Sequence, residues 1–129
     1  MDEHVMQSFK ELLIWQRSMG LVEGCYVLVE QLPKDEMYGL SSQVRRAAVS
    51  IPANIAEGHG RESTGAFIQF LRIAQGSLKE LETHLIFLVR LRLANEGHVA
   101  PLLTECSEIG KMIRALIRSL QAKLDGEPQ

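Results

Sequence analysis

Apolar side chains recur along this chain at steps of three and four residues, and proline or glycine cuts the runs at intervals that suit helices. The first run holds Phe9, Leu12, Leu13, Met19, Val22, Tyr26 and Val29. Ser8 followed by Glu11 matches a capping box, and Pro33 cannot continue a helical hydrogen-bond ladder, so the pattern predicts a first helix over residues 9–31. Leu40, Val44, Ala47, Ala48, Ile51 and Ile55 mark one face of a second helix over 38–57. Pro52 inside it predicts a kink or a frayed last turn before Gly58-His59-Gly60 breaks the chain. Ser63 or Thr64 caps a third helix over 64–94, whose stripe of Phe67, Leu71, Ala74, Leu78, Leu81, Leu85 and Leu88 is the clearest in the sequence. After the turn Asn95-Glu96-Gly97, a seam of Val99, Leu102, Cys106, Ile109, Ile113, Leu116 and Leu120 defines a fourth helix over 98–124, followed by a frayed tail at Gly126-Glu127-Pro128-Gln129.

Short loops bring each helix back alongside the last, so the expected fold is all-α: one domain over residues 1–129, an antiparallel up-and-down four-helix bundle. Helices one and four carry apolar residues outside those stripes, Ile14, Trp15, Leu21 and Leu28 on one and Leu103, Gly110, Ile117 and Leu124 on the other. A monomer would leave part of that surface wet, which predicts a subunit interface. Gly20, Gly24, Gly76 and Gly110 fall inside predicted helices at a cost of about 1 kcal/mol each relative to Ala. Gly76-Ser77 is assigned to tight packing within or between subunits.

Composition narrows the class. The chain has 129 residues, 46% of them hydrophobic and only 5% aromatic, which suits helix-on-helix packing better than a sandwich or barrel. Fourteen Lys and Arg against sixteen Asp and Glu leave a net charge of -2, so any nucleic-acid site is local rather than a global positive field. The polar, acidic N-terminus is unlike a signal peptide and no apolar run reaches the roughly 18 residues of a membrane span, so a cytoplasmic protein without a membrane partner is expected.

The candidate chemistry points away from catalysis. Cys25 and Cys106 lack metal or redox spacing and read as small buried hydrophobes. Glu80, Glu82 and His84 fall short of the paired Glu-x-x-His motifs of a bundle metal site, so no metal or cofactor is expected. His84 reads as a surface or interface histidine, and His4, His59 and His98 as loop residues. No Ser or Cys has the setting of an activated nucleophile, and no small-molecule substrate is expected. Asn54 to Arg61 has two glycines and an arginine but lacks a Walker Lys-Ser/Thr, so the glycines read as a C-cap and turn. Trp15, Tyr26 and Phe9 read as packing residues rather than base-stacking platforms.

The leading constellation is on helix two, where Ser42, Arg46, Ser50, Asn54 and Glu57 form a polar stripe, with Gln43 nearby. In one reading Arg46 with Arg45, Arg61 and Arg72 presents guanidinium groups to phosphate. In the other, Arg46 pairs with Glu57 or Glu80 within or between subunits, and Asn54 satisfies backbone freed by Pro52.

Taken in order, Phe9-Lys-Glu-Leu12, Trp15-Gln16, Leu32-Pro33, Tyr38-Gly-Leu40, Gln43, Arg45-Arg-Ala-Ala48, Ser50-Ile-Pro52 and Asn54-Ile-Ala-Glu-Gly58 form a series. It continues through Gly60-Arg61, Phe67, Phe70-Leu71, Ile73-Ala74, Gly76-Ser77 and Glu80-Leu81. The whole resembles the four-helix-bundle proteins encoded in intervening sequences of bacterial 23S ribosomal RNA genes. The resemblance spans Phe9 to Leu93, and helix four matches only in hydrophobic pattern. It implies a ring-like homopentamer, a role in binding RNA or an RNA–protein complex, and kinship with accessory proteins of diversity-generating retroelements. The expected function is therefore a non-enzymatic homo-oligomeric scaffold that binds RNA through its helix-two arginines. The alternative is a protein–protein assembly module that never touches nucleic acid.

Overall fold

The computed structural model describes residues 8–36 and 39–126. The predicted start of helix two at Met37-Tyr38, the loop placement of His4 and the tail at Glu127-Pro128-Gln129 lie outside them. Four α-helices account for the fold, α1 (Leu13–Val29), α2 (Leu40–His59), α3 (Thr64–Arg90) and α4 (Glu96–Leu124), and there is no strand among the described residues. They pack in cyclic order: α1 on α2, α2 on α3, α3 on α4 and α4 back on α1. The α2–α3 contact is the most extensive and the α1–α4 contact the least.

The ends of the helices differ from expectation for local reasons. Ser8 Oγ accepts from the N–H of Lys10, not of Glu11, so it opens a single 3-10 turn at Phe9–Glu11. Leu12, in extended backbone, separates that turn from α1. α2 runs through Pro52 and Gly58 to His59 without a frayed last turn, closed by the Gly60 N–H reaching the Ala56 and Glu57 carbonyls. α3 stops at Arg90 rather than 94 because the chain enters a Schellman motif there. The Arg92 N–H bonds the Val89 carbonyl, the Leu93 N–H bonds that of Leu88, and Arg92 takes the left-handed φ of 61° that glycine usually supplies. Asn95 caps α4 by accepting from the Gly97 N–H, which moves that helix's start forward to Glu96.

The core is built from one stripe of each helix, with Ile51, Ile55, Leu71, Leu81, Leu85, Leu88, Ile109 and Ile113 wholly buried. Each such side chain stabilises the fold by about 1.5–3 kcal/mol relative to exposure. On α1 the inward stripe is not the predicted one. Ile14, Ser18, Leu21, Cys25 and Leu28 are buried, whereas Leu13, Met19 and Tyr26 are exposed. Ser18 hides the true spacing, since its hydroxyl donates to the Ile14 carbonyl at 2.6 Å and so tolerates burial. Leu21 and Leu28, read as surplus apolar surface, are core. On α4, Gly110 and Ile117 likewise join the core, Leu103 is half-buried and Leu124 is exposed.

Small residues set the helix separations. A Cβ on Gly58 would lie 2.6 Å from Phe70 Cβ and 3.1 Å from Phe67 Cδ1, so glycine there lets α2 approach α3. Gly76 has nothing within 4 Å of such a Cβ, so the tight packing expected there is absent within the chain, and its neighbour Ser77 makes the contact instead. Gly24 provides the notch on α1 for Leu102 of α4, 2.8 Å from where a Cβ would stand.

Candidate nucleic-acid interface

α2 turns one side to the core through Val44, Ala47, Ala48, Ile51 and Ile55, which leaves residues 42, 45, 46, 49 and 50 on its outer side. Ser42, Arg45, Arg46, Val49 and Ser50 line a shallow groove there together with Tyr26 of α1. The Arg45 guanidinium lies 5.9 Å over the Tyr26 ring, a cation–π distance. Arg46 is exposed and makes no ion pair among the described residues.

The two acids weighed as partners for Arg46 have other neighbours: Glu57 pairs with Arg61 at 2.7 Å, and Glu80 lies 3.5 Å from His84 Nε2. Arg61 also stacks 4.9 Å over Phe70, so it is anchored at the α2–α3 turn and not in the groove with Arg45 and Arg46. Arg72 is further removed. It lies on α3 beside Arg114 and Arg118 of α4, in a groove completed by Gln75, Ile117 and Gln121. The four predicted arginines therefore fall at three places.

The polar stripe divides between surface and packing. Ser50 Oγ and Ser77 Oγ are 2.8 Å apart across α2 and α3, and Asn54 Nδ2 donates to both the Ser50 hydroxyl and the Ser50 carbonyl. The carbonyl that Pro52 frees is that of Ala48, four residues back, so Asn54 does not serve it as expected. Gln43 is half-buried and Glu57 exposed.

Two features of α4 escaped the sequence reading. Arg17 of α1 clasps Glu105 of α4 through Nε at 2.8 Å and Nη2 at 2.6 Å, and its Nη1 reaches Met112 Sδ at 3.5 Å. The hydrogen bond to Glu105 holds the Arg17 guanidinium above its ordinary range against the opposing effect of desolvation. The other is the Arg114–Arg118 pair, one turn apart on α4. Its only sequence signal was two like charges at i and i+4 flanking the apolar Ile117.

Little here resembles an active site. Cys25 and Cys106 are buried, free of disulfide and pushed up to about 12 by burial, Cys106 also by Cys25 nearby, so both are protonated and unreactive at neutral pH. Glu82 pairs with Lys79, and no group of three His, Cys, Asp or Glu among the described residues is placed to hold a metal. His84 is mostly buried, its Nδ1 without a hydrogen-bond partner. His59 is the last residue of α2, set edge-on to Phe67, and His98 lies in the first turn of α4, so neither is a loop residue. Phe9 and Trp15 pack against each other edge to face at 5.2 Å. No helix of the described residues is long and apolar enough to cross a membrane.

Comparison with known proteins agrees with this architecture. A crystal structure from Bacteroides thetaiotaomicron VPI-5482, described as a protein with unknown function from the S23 ribosomal protein family, superposes with a TM-score of 0.72. The match covers 81% of this chain and 98% of that one at 24% identity, a level that speaks to the fold alone. No functionally curated protein matches. A family model matches residues 10–115, from the turn before α1 into α4, and the chain belongs to the family it describes, the 23S rRNA-intervening sequence proteins.

Proposed function

We propose that this protein is a non-enzymatic, cytoplasmic scaffold, a ring-like homopentamer of antiparallel up-and-down bundles that binds RNA through phosphate contacts. By the same reading it is kin to the accessory bundles of diversity-generating retroelements. The observation that carries RNA binding is Arg46, an exposed guanidinium beside Arg45 with serine hydroxyls on either side and no ion pair among the described residues. Guanidinium forks and hydroxyls are the donors that phosphate oxygens accept from. Arg61 and Arg72, elsewhere on the surface, are not required at that groove.

Antiparallel neighbours are supported by paired contacts. Gly58 meets Phe67 and Phe70 while Ser50 meets Ser77, and Arg17 meets Glu105 and Met112 while Gly24 meets Leu102. Self-association is supported by exposed apolar residues, notably Leu13 at 57%, Val27 at 58%, Ile73 at 50% and Phe87 at 45%. The same surface favours the second reading, a protein-assembly module without nucleic acid.

The test joins RNA binding across a salt series with oligomeric mass by light scattering on one sample. Binding that weakens as salt rises, from a stable oligomer, with Arg45→Gln and Arg46→Gln each flattening that dependence at unchanged mass, is the expected result. An intact oligomer that binds no RNA at low salt leaves the assembly module, and a monomer removes the ring.

A further inference from the structure

The α3–α4 groove holds a second concentration of positive charge that owes nothing to α2. Arg72 and Gln75 reach it from α3 and Arg114, Arg118 and Gln121 from α4, around a floor at Ile117. All three arginines are exposed and none makes an ion pair among the described residues. No carboxylate among the described residues lines this groove. Glu82, in the adjoining groove, pairs with Lys79, Glu108 pairs with Lys111, and Asp125 accepts from Gln121 one turn further on. Like charges at i and i+4 are unfavourable on a helix unless something neutralises them, and Arg72 approaching from α3 adds to that repulsion.

We infer that this groove is a phosphate-binding site that takes the backbone of an RNA strand. The inference rests on the proposal that the protein binds RNA, and adds to it a site on a different face. Arg114 and Arg118 stand about 6 Å apart along the helix axis, a spacing of the same order as that between neighbouring phosphates of one strand. Each guanidinium offers a bidentate fork to phosphate oxygens, and the two glutamine amides add neutral donors at the rim. The half-open shape and single apolar floor residue suit a backbone lying across the groove better than an enclosed small ligand.

The experiment measures binding of a labelled single-stranded RNA oligonucleotide by fluorescence anisotropy across a salt series, for the wild type and for the double variant R114Q/R118Q, with light scattering on each. The expected result is about a tenfold or greater loss of affinity at low salt and a fall of about 1.4 in the slope of log K against log salt. R114K/R118K, which keeps the charge, restores much of the salt slope. Unchanged RNA binding in R114Q/R118Q overturns the site. So does a changed oligomeric mass, which would make these arginines interface residues, and so does equally tight binding of poly-glutamate, which would make the groove a receptor for acidic protein segments. If R45Q/R46Q alone abolishes binding, this inference fails and the α2 proposal stands. If the wild type binds no RNA at any salt, the proposal beneath it has failed.

Discussion

The α2–α3 contact and the α1–α4 contact hold the same bundle together by different means. Between α2 and α3 the decisive groups are neutral and small: Gly58 against Phe67 and Phe70, and the Ser50–Ser77 hydroxyl pair. Between α1 and α4 they are titratable: the Arg17–Glu105 clasp and the buried thiols of Cys25 and Cys106. One contact is governed by space and the other by charge state. The first is therefore intolerant of added atoms, and the second answers to pH and salt.

The largest effect follows from the thiols. Both are pushed up to about 12 in the fold, whereas an unfolded chain ionises them near an ordinary value of roughly 8.5. Above that value the unfolded state holds fewer protons than the folded one, so stability is full below it and is lost as pH rises towards 12. Between pH 8 and 10 each thiol removes about 2 kcal/mol, and the two together about 4 kcal/mol. Urea unfolding at those two pH values measures it. In C25A/C106A the alkaline decline should flatten, and an unchanged decline would mean that the thiols do not set it.

Next comes Gly58→Ala, which should destabilise by about 2 kcal/mol despite the better helix propensity of alanine, because the new methyl meets a Cβ that cannot rotate away. The loss should be the same at pH 7 and pH 9, since the clash is between the new methyl and the side chains of Phe67 and Phe70, which carry no ionisable group. A neutral or stabilising Gly58→Ala would show that α2 and α3 can part at small cost and would undo the contrast.

How much of this was readable beforehand depends on how much each helix resembles its own ideal. α3 has one stripe of strict four-three spacing, and all of it but Phe67 is buried as expected, although Ile73, Ile86 and Phe87 lie exposed outside it. α1 is apolar nearly all round, so spacing alone does not choose a face, and the serine at position 18 concealed the right one by bonding its own helix. The end of α3 was missed because a Schellman turn is announced by glycine, and here Arg92 stands in that place. At the candidate site the residue types were readable but their grouping was not. Arg45 and Arg46 are adjacent in sequence and stay together, whereas the company of Arg72 is decided by which helix packs beside α3. The partners of that arginine lie more than forty residues on, at Arg114 and Arg118.

Glu105→Gln probes the charged contact directly and should cost less than Gly58→Ala, since the Arg17–Glu105 pair is about one-third exposed and partly screened. The guanidinium is held above a range already beyond working pH, so the deficit does not come from Arg17 titrating. It should instead shrink as salt rises, which thermal unfolding at low and high ionic strength reads out. A deficit independent of salt would make the clasp a matter of hydrogen-bond geometry alone.

The smallest effect has the opposite sign and compares glycine with glycine. Gly76 is helical like Gly58, but a methyl there meets nothing within 4 Å. Gly76→Ala should stabilise an isolated bundle by roughly 0.5–1 kcal/mol through backbone entropy alone. It lies on the exposed side of α3, three residues after Ile73, so it is also where a neighbouring subunit would come close if the ring uses that face. Tm and oligomeric mass together separate the cases. A raised Tm with unchanged mass means that this side of α3 faces solvent. A smaller mass means that the tight packing expected at Gly76-Ser77 exists between chains, and that the ring relies at that surface on the same small-residue fit that joins α2 to α3.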